Sequence, residues 1–233
     1  MKVLSFGEVL WDVYADSEHI GGAPLNFAAH FAKCGGESAV VTAVGKDELG
    51  DKTIDVIREM GINIGYITRS DKETGKCLVT LDDNQIPSYN LLDNVAYDCI
   101  EKPDISENVF DVLYFGTLSL RNESNRAVID RIVAENNFDE IFVDVNIRPP
   151  YYSDEVIDFA CENATIIKIS DEELPVIMKA INSEKTAISD CALAVSDRYT
   201  NIRILIITRG DKGSYVYDCT NGQAYERDSK RWM

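Results

Sequence analysis

Read for the alternation of apolar and polar positions, the chain falls into a repeating β-α-β rhythm. KVLSFGEVLWDVY near the start and VVTAVG before Gly45 are strand-like runs rich in valine, leucine and phenylalanine, and the alanine-rich stretch between them predicts a helix. The rhythm recurs. DVLYFGTLSL predicts a strand, Glu123 to Asn136 a helix, EIFVDVN a strand, Asp154 to Glu162 a helix, TIIKIS a strand and, after a second helical stretch, RILIITRG another. Continuous apolar strands separated by helices argue for a mostly parallel sheet covered on both faces.

One region departs from this pattern. GKCLVTLDDNQIPSYNLLDN, Gly75 to Asn94, alternates polar and apolar residues around the turn-forming DDNQ, as a hairpin does. No helix separates its strands, and a hairpin cannot sit inside a parallel sheet without a crossover. It is therefore expected to project, together with the segment before Gly21, as a small second sheet.

Composition narrows the partners. A chain of 233 residues is long enough for one substantial core, and 45% hydrophobic against 27% charged residues excludes wholesale disorder. Lys and Arg number 23 against 40 Asp and Glu, and the net charge of −17 opposes a broad electrostatic surface for nucleic acid or for an anionic membrane. Neither partner is expected. The apolar N-terminal part is interrupted by acidic residues, unlike a signal peptide, and no run approaches a membrane span, so the expected location is cytoplasmic. The six cysteines contain no C-x-x-C pair and predict free thiols rather than a zinc or redox site. His19 and His30 have no motif around them and are expected to be structural.

The stretch GGAPLNFAAHFAKCGG, Gly21 to Gly36, carries the candidate chemistry. With Pro24 at the first helical position, Asn26 falls in the first turn, where its amide can point out past the end of the helix. Phe27, Ala28, Phe31 and Ala32 supply an apolar face. Gly21 and Gly22 leave backbone bare where a ligand could approach, and Asp12, at the end of the first strand, can reach the same place from the other side. An amide and a carboxylate converging there suit a polyol, because between them they donate to and accept from hydroxyls. The same residues also fit a plain Gly-Gly turn with Asn26 in the cap region, and the stretch alone leaves both readings open.

Together with GKDELG, Gly45 to Gly50, this stretch resembles the N-terminal signature of the PfkB carbohydrate kinases, the ribokinase and fructokinase group. Further segments follow in order: GEVLWD, PSYNLLDNVAYD, DVNIRPPYY (Asp144 to Tyr152), KISDEE (Lys168 to Glu173) and ITRGDKGSYVY. They are most similar to the fructokinase branch and carry the resemblance to about Glu226. The resemblance implies a ribokinase-like three-layer α/β sandwich with a mostly parallel central sheet and a small β lid. It implies one such domain over residues 1–233, incomplete at its C-terminal end, with lid segments at about 12–21 and 75–95.

The activity implied is transfer of the γ-phosphoryl group of ATP, with Mg2+, to a sugar hydroxyl. Fructose is the leading substrate, with ribose, nucleosides and other ketoses as alternatives. By resemblance, Asp12, Gly21, Gly22 and Asn26 would bind the sugar, Arg148 would meet the transferred phosphate, and Lys168, Thr208, Gly210 and Gly213 would line the nucleotide. Glu173 would influence the metal through water, although Ser170 stands where the family motif has asparagine. The lid would exclude water, and a homodimer through the lid sheet is a further expectation. There is no G-x-x-x-x-G-K-[ST], so a P-loop is not expected.

The family's last motif, in which Gly-Ala-Gly-Asp forms an anion hole and supplies the general base, does not occur in the sequence. The chain accordingly reads as roughly the first three quarters of a sugar kinase, through truncation or an altered reading frame, with negligible turnover expected. Two other readings follow from the same gap: a non-catalytic sugar-binding or dimerising protein, and an aggregation-prone fragment.

Overall fold

The computed structural model describes residues 1–81 and 87–229. It divides the first apolar run in two. β1 (Lys2–Phe6) ends at Gly7, and β2 (Leu10–Val13) belongs to a different sheet. A single strand was the expectation, because both halves are apolar. Their partners differ: Val3, Leu4 and Phe6 are wholly buried, whereas β2 becomes half-exposed from Asp12 onward.

The chain forms two compact units, Met1–Phe115 with Ser119–Asp139, and Gly116–Leu118 with Glu140–Met233. In the first, β2 is followed by β3 (Glu18–Gly21), α1 (Ala23–Lys33), β4 (Glu37–Gly45), α2 (Glu48–Glu59), β5 (Ile67–Ser70), β6 (Gly75–Leu81), β7 (Pro87–Leu91), β8 (Val112–Gly116) and α3 (Glu123–Glu135). β8, β1, β4 and β5 lie side by side in that order, all parallel. From Ser38 to Gly45, β4 is buried at every position, which is why it reads as a continuous apolar run rather than an alternating one.

The core of this unit joins Val9, Leu25, Ala28, Val40, Ile57 and Ile62. Leu25 and Ala28 bring in α1, Ile57 brings in α2, and both helices pack on β4. Burying one such leucine is worth about 1.5–3 kcal/mol. The deep face of α1 is thus Pro24, Leu25 and Ala28, and of the expected face of Phe27, Ala28, Phe31 and Ala32 only Ala28 is fully buried. Those two rings are only partly buried: Phe27 stacks on Tyr114 of β8 at 3.9 Å between centroids and 9° between planes, with Phe31 next at 6.4 Å.

The remaining strands make the small sheet, in the order β3, β2, β6, β7. β2 and β6 are parallel and the two outer pairs antiparallel. The alternation from Gly75 to Asn94 thus forms an antiparallel pair, and the expected DDNQ turn lies outside the described residues. Trp11 is buried and its indole N–H donates to the Thr53 hydroxyl of α2 at 2.8 Å. Successive strand residues face opposite ways, so Asp12 is turned to the other face of β2.

The second unit contains β9 (Glu140–Asp144), α4 (Asp154–Asn163), β10 (Ile166–Ser170), α5 (Leu174–Ala180), α6 (Ile188–Arg198), β11 (Ile204–Thr208), β12 (Ser214–Asp218) and β13 (Gln223–Arg227). β9, β10 and β11 are parallel neighbours, and β12 and β13 extend them antiparallel. TRGDKG is the turn between β11 and β12. All six cysteines are free, and burial pushes the Cys161 thiol up to about 12, so it stays protonated at neutral pH. Among the described residues no helix is long and apolar enough to cross a membrane.

Candidate functional site

The N-terminus of α1 is built around a glycine and a buried carboxylate. Gly22 is the N-cap residue at φ 114° and ψ 129°, Ala23 opens the helix, and Pro24 takes its second position rather than the first expected from the sequence. The helix start has no side-chain cap of its own. Glu8, only 2% exposed, accepts a hydrogen bond from the Ala23 N–H at 3.2 Å, and negative charge is favoured at this end of a helix. The glycine is required by close approach as well as by φ. A Cβ on Gly22 would lie 2.3 Å from the Glu8 carbonyl oxygen. Glu8 was missed in the sequence reading, and the only signal for it is an acid inside the apolar run FGEVL.

Around this helix start the structure gathers the four residues expected to bind sugar. The Asp12 carboxylate stands beside Gly21, whose Cβ would lie 3.2 Å from Oδ2, and the Asn26 N–H donates to the Gly22 carbonyl at 2.9 Å. The Asn26 side chain is exposed in the first turn. On the small sheet, burial and then the neighbouring Tyr89 and Asp12 hold the Tyr14 phenol above its ordinary range. His19 and His30 are both exposed, and the His19 ring meets Tyr14 edge-on at 5.9 Å.

GKDELG is a brace. Asp47 caps α2, a helix not recognised in the sequence, by accepting from the Gly50 N–H at 2.7 Å. It also takes the Thr74 N–H at 2.9 Å and the Thr74 hydroxyl at 2.6 Å, just before β6 begins. Burial works to raise the Asp47 carboxyl, but the bonds from Thr74 and Gly50 outweigh it and hold the group below the ordinary carboxylate range. Its stabilisation is therefore complete above the unfolded carboxylate value and is lost as pH falls through the folded one. Asp47→Ala is expected to cost about 1–3 kcal/mol at neutral pH and to flatten the loss of stability below about pH 4. Urea unfolding across that range checks this; an unchanged acid limb refutes it.

In the second unit the expected residues gather at the C-terminal ends of parallel strands, where open α/β sheets carry their sites. Lys168 and Asp144 are register partners on β10 and β9, with Nζ 2.9 Å from Oδ1. Glu173 accepts from the Ile147 N–H at 2.6 Å and from the Ser170 N–H at 2.7 Å, while Ser170 Oγ accepts from the Glu173 N–H at 3.2 Å. Ser170 thus closes a reciprocal pair with Glu173. Both carboxylate oxygens are engaged by backbone, leaving only their remaining lone pairs for water. The Ile147 bond also pins the segment that carries Arg148, which is exposed.

Thr208 ends β11, and its carbonyl accepts from the Asp171 N–H at 2.8 Å. Gly210 has open space where a Cβ would be. Gly213 does not: at φ 89° its Cβ would fall 1.9 Å from the Arg227 carbonyl oxygen. The fold needs this glycine for its own backbone, independently of any nucleotide. Among the described residues no group of three or more His, Cys, Asp or Glu side chains is placed to hold a metal ion.

Residues 2–230 match the pfkB family of carbohydrate kinases. The chain belongs to that family. As a pfkB-family sugar kinase it is 26% identical over 239 residues to the probable fructokinase-5 of Arabidopsis thaliana, covering 92% of this chain and 72% of that one. Identity is also 26% to the fructokinase of Salmonella typhimurium, over 231 residues, with coverages of 91% and 72%. Among solved structures, the fructokinase from Xylella fastidiosa superposes with a TM-score of 0.85 at 21% identity, covering 99% of this chain and 76% of that one. A sugar kinase from Pyrococcus horikoshii in complex with ATP gives 0.80 at 24%, with coverages of 99% and 78%. The fold is ribokinase-like α/β, as the resemblance implied.

Proposed function

We propose that this carbohydrate kinase takes fructose as its sugar, at the N-terminus of α1, and ATP as its phosphoryl donor. The observation that carries the sugar reading is the Asp12 carboxylate seated against Gly21 beside a helix start whose first turn presents the Asn26 amide. Carboxylate and amide bond neighbouring hydroxyls, and the bare Gly21–Gly22 backbone admits the ring. That curated relatives are fructokinases supports fructose over ribose.

ATP is supported by the nucleotide in the Pyrococcus horikoshii structure and by a Xylella fastidiosa fructokinase with bound ATP. Lys168, Thr208, Gly210 and Gly213 are proposed to line the nucleotide, and Arg148 to meet the transferred phosphate, where fixed positive charge stabilises a charge-spread transition state. Mg2+, when bound, would neutralise phosphate charge, with Glu173 acting on it through water. Glu173 holds the Arg148 segment directly. A cytoplasmic location goes with this reading, as does a homodimer through the small sheet, where Tyr89 is 60% and Leu78 38% exposed.

These 233 residues carry no Gly-Ala-Gly-Asp, and for this polypeptide by itself the second reading is sugar binding without turnover. Sugar binding is common to both readings. Thermal unfolding of the purified chain with fructose, with ribose and without sugar tests it. A ligand at a hundred times its Kd adds about 2.7 kcal/mol, so fructose is expected to raise Tm more than ribose. Asp12→Asn and Asn26→Ala are each expected to weaken the response by about tenfold in sugar concentration, the loss of one specific hydrogen bond. No shift with any sugar refutes the proposal.

A further inference from the structure

Three points where the chain enters or leaves the small sheet meet in one place: Val9 before β2, Gly75 at the start of β6, and Leu92 after β7. A Cβ on Gly75 would lie 2.5 Å from the Tyr97 ring and 3.0 Å from the Val9 carbonyl oxygen. Leu92 donates its N–H to the Lys76 carbonyl at 3.1 Å. Its own carbonyl accepts from Arg121 Nη2 at 2.8 Å.

Arg121 does more than hold Leu92. Its Nε and Nη2 grip the two oxygens of Asp98 at 2.8 and 2.9 Å, Nη1 lies 3.1 Å from Asp93 Oδ1, and the guanidinium carbon stands 5.3 Å from the Tyr97 ring centroid. The Arg121 and Asp98 side chains are 11% and 5% exposed, so this fork is shielded from water, whereas Asp93 is 71% exposed. Asp98 also accepts from the Val95 N–H at 3.1 Å.

The grip is anchored in the body of the unit. Asn125 of α3, wholly buried, donates to the carbonyls of Tyr97 and Ser119, both at 2.8 Å, and accepts from the Ile100 N–H at 3.0 Å. A continuous path of bonds therefore runs from α3 through the 97–100 turn and Arg121 to Leu92. Besides Trp11 on α2 and Asp47 at Thr74, this path holds the same end of the β6–β7 pair, where Leu92 follows β7 beside Lys76.

We propose that Arg121 is a positioning residue of the sugar site: by gripping Leu92, Asp93 and Asp98 it fixes the root of the small sheet, and with it the place of Asp12 beside α1. The second half of this statement rests on the sugar reading above; the first does not. A planar fork is needed for it, and lysine cannot supply one. A general packing role would loosen β1 and β4 as much as β6 and β7. A positioning role loosens the small sheet selectively.

Hydrogen exchange on the unliganded chain separates the two. In Arg121→Lys, backbone amides of residues 75–79 and 88–92 are expected to exchange about tenfold faster, while those of β1 and β4 keep their protection. Arg121→Ala should give a larger effect at the same amides; if it does not fold, Arg121→Lys decides. Equal acceleration in β1 and β4, or none in the small sheet, overturns the proposal. In parallel, the fructose concentration needed for half the thermal shift is expected to rise about tenfold while that for ATP is unchanged. Equal weakening of both overturns the link to the sugar site. Should the unaltered chain show no fructose response, the sugar reading fails, and the exchange pattern still decides what Arg121 does.

Discussion

Gly22→Ala is expected to lower the unfolding free energy by about 2–6 kcal/mol and to abolish the thermal response to fructose. Two costs combine. The backbone at φ 114° and ψ 129° lies where side chains are strained, and the new methyl would sit 2.3 Å from the Glu8 carbonyl oxygen and 3.3 Å from the Val9 Cα. Neither neighbour is the flexible end of a side chain. Moving Glu8 would also disturb the carboxylate that receives the Ala23 N–H, so the helix start itself would shift. Gly35→Ala is the matched control: φ is 86°, but nothing lies within 4 Å of the new Cβ. It should cost only about 1–2 kcal/mol, the strain of a left-handed residue. Denaturant unfolding of both variants checks this, and equal losses would mean that contact with Glu8 does not constrain the turn.

The polypeptide of these 233 residues is expected to release ADP from Mg-ATP no faster with fructose than without it. Removing a general base commonly costs about two to four orders of magnitude, and removing anion-hole donors costs about two to three more. The polypeptide contains no Gly-Ala-Gly-Asp to supply either, and Asp228, just after β13, has no glycine directly before it to aim it at a hydroxyl. Coupled-enzyme detection of ADP, with fructose, ribose and no sugar side by side, checks this. Robust release with fructose alone would refute it and direct attention to another base. Absence of release together with a fructose-dependent thermal shift would establish binding without turnover.

The family was legible in the sequence because its signatures are contiguous. The β-α-β rhythm and the helix from Ala23 to Lys33 follow from periodicity within a few residues, and the antiparallel pairing of β6 with β7 follows from alternation. α2 was passed over because GKDELG reads as a motif, although Asp47 followed by the acids Glu48 and Asp51 is a helix-start signal. The expected face of α1 was right at Ala28 but misplaced its two phenylalanines. Phenylalanine outweighs leucine in a hydrophobic pattern, yet Leu25 and Ala28 enter the core with Val40 of β4, while Phe27 is only partly buried against Tyr114 of β8.

Local pattern was enough to set strand, helix, hairpin and family, since each rests on residues close in the chain whose side chains must face one way or the other. It could not divide Phe6 from Leu10 between two sheets, nor bring Glu8 to the helix start, nor carry Arg121 to Leu92. Those pairings join residues 15 and 29 apart. A buried polar group takes whichever partner the folded backbone brings within about 3 Å, and that choice is made only when the distant segments pack.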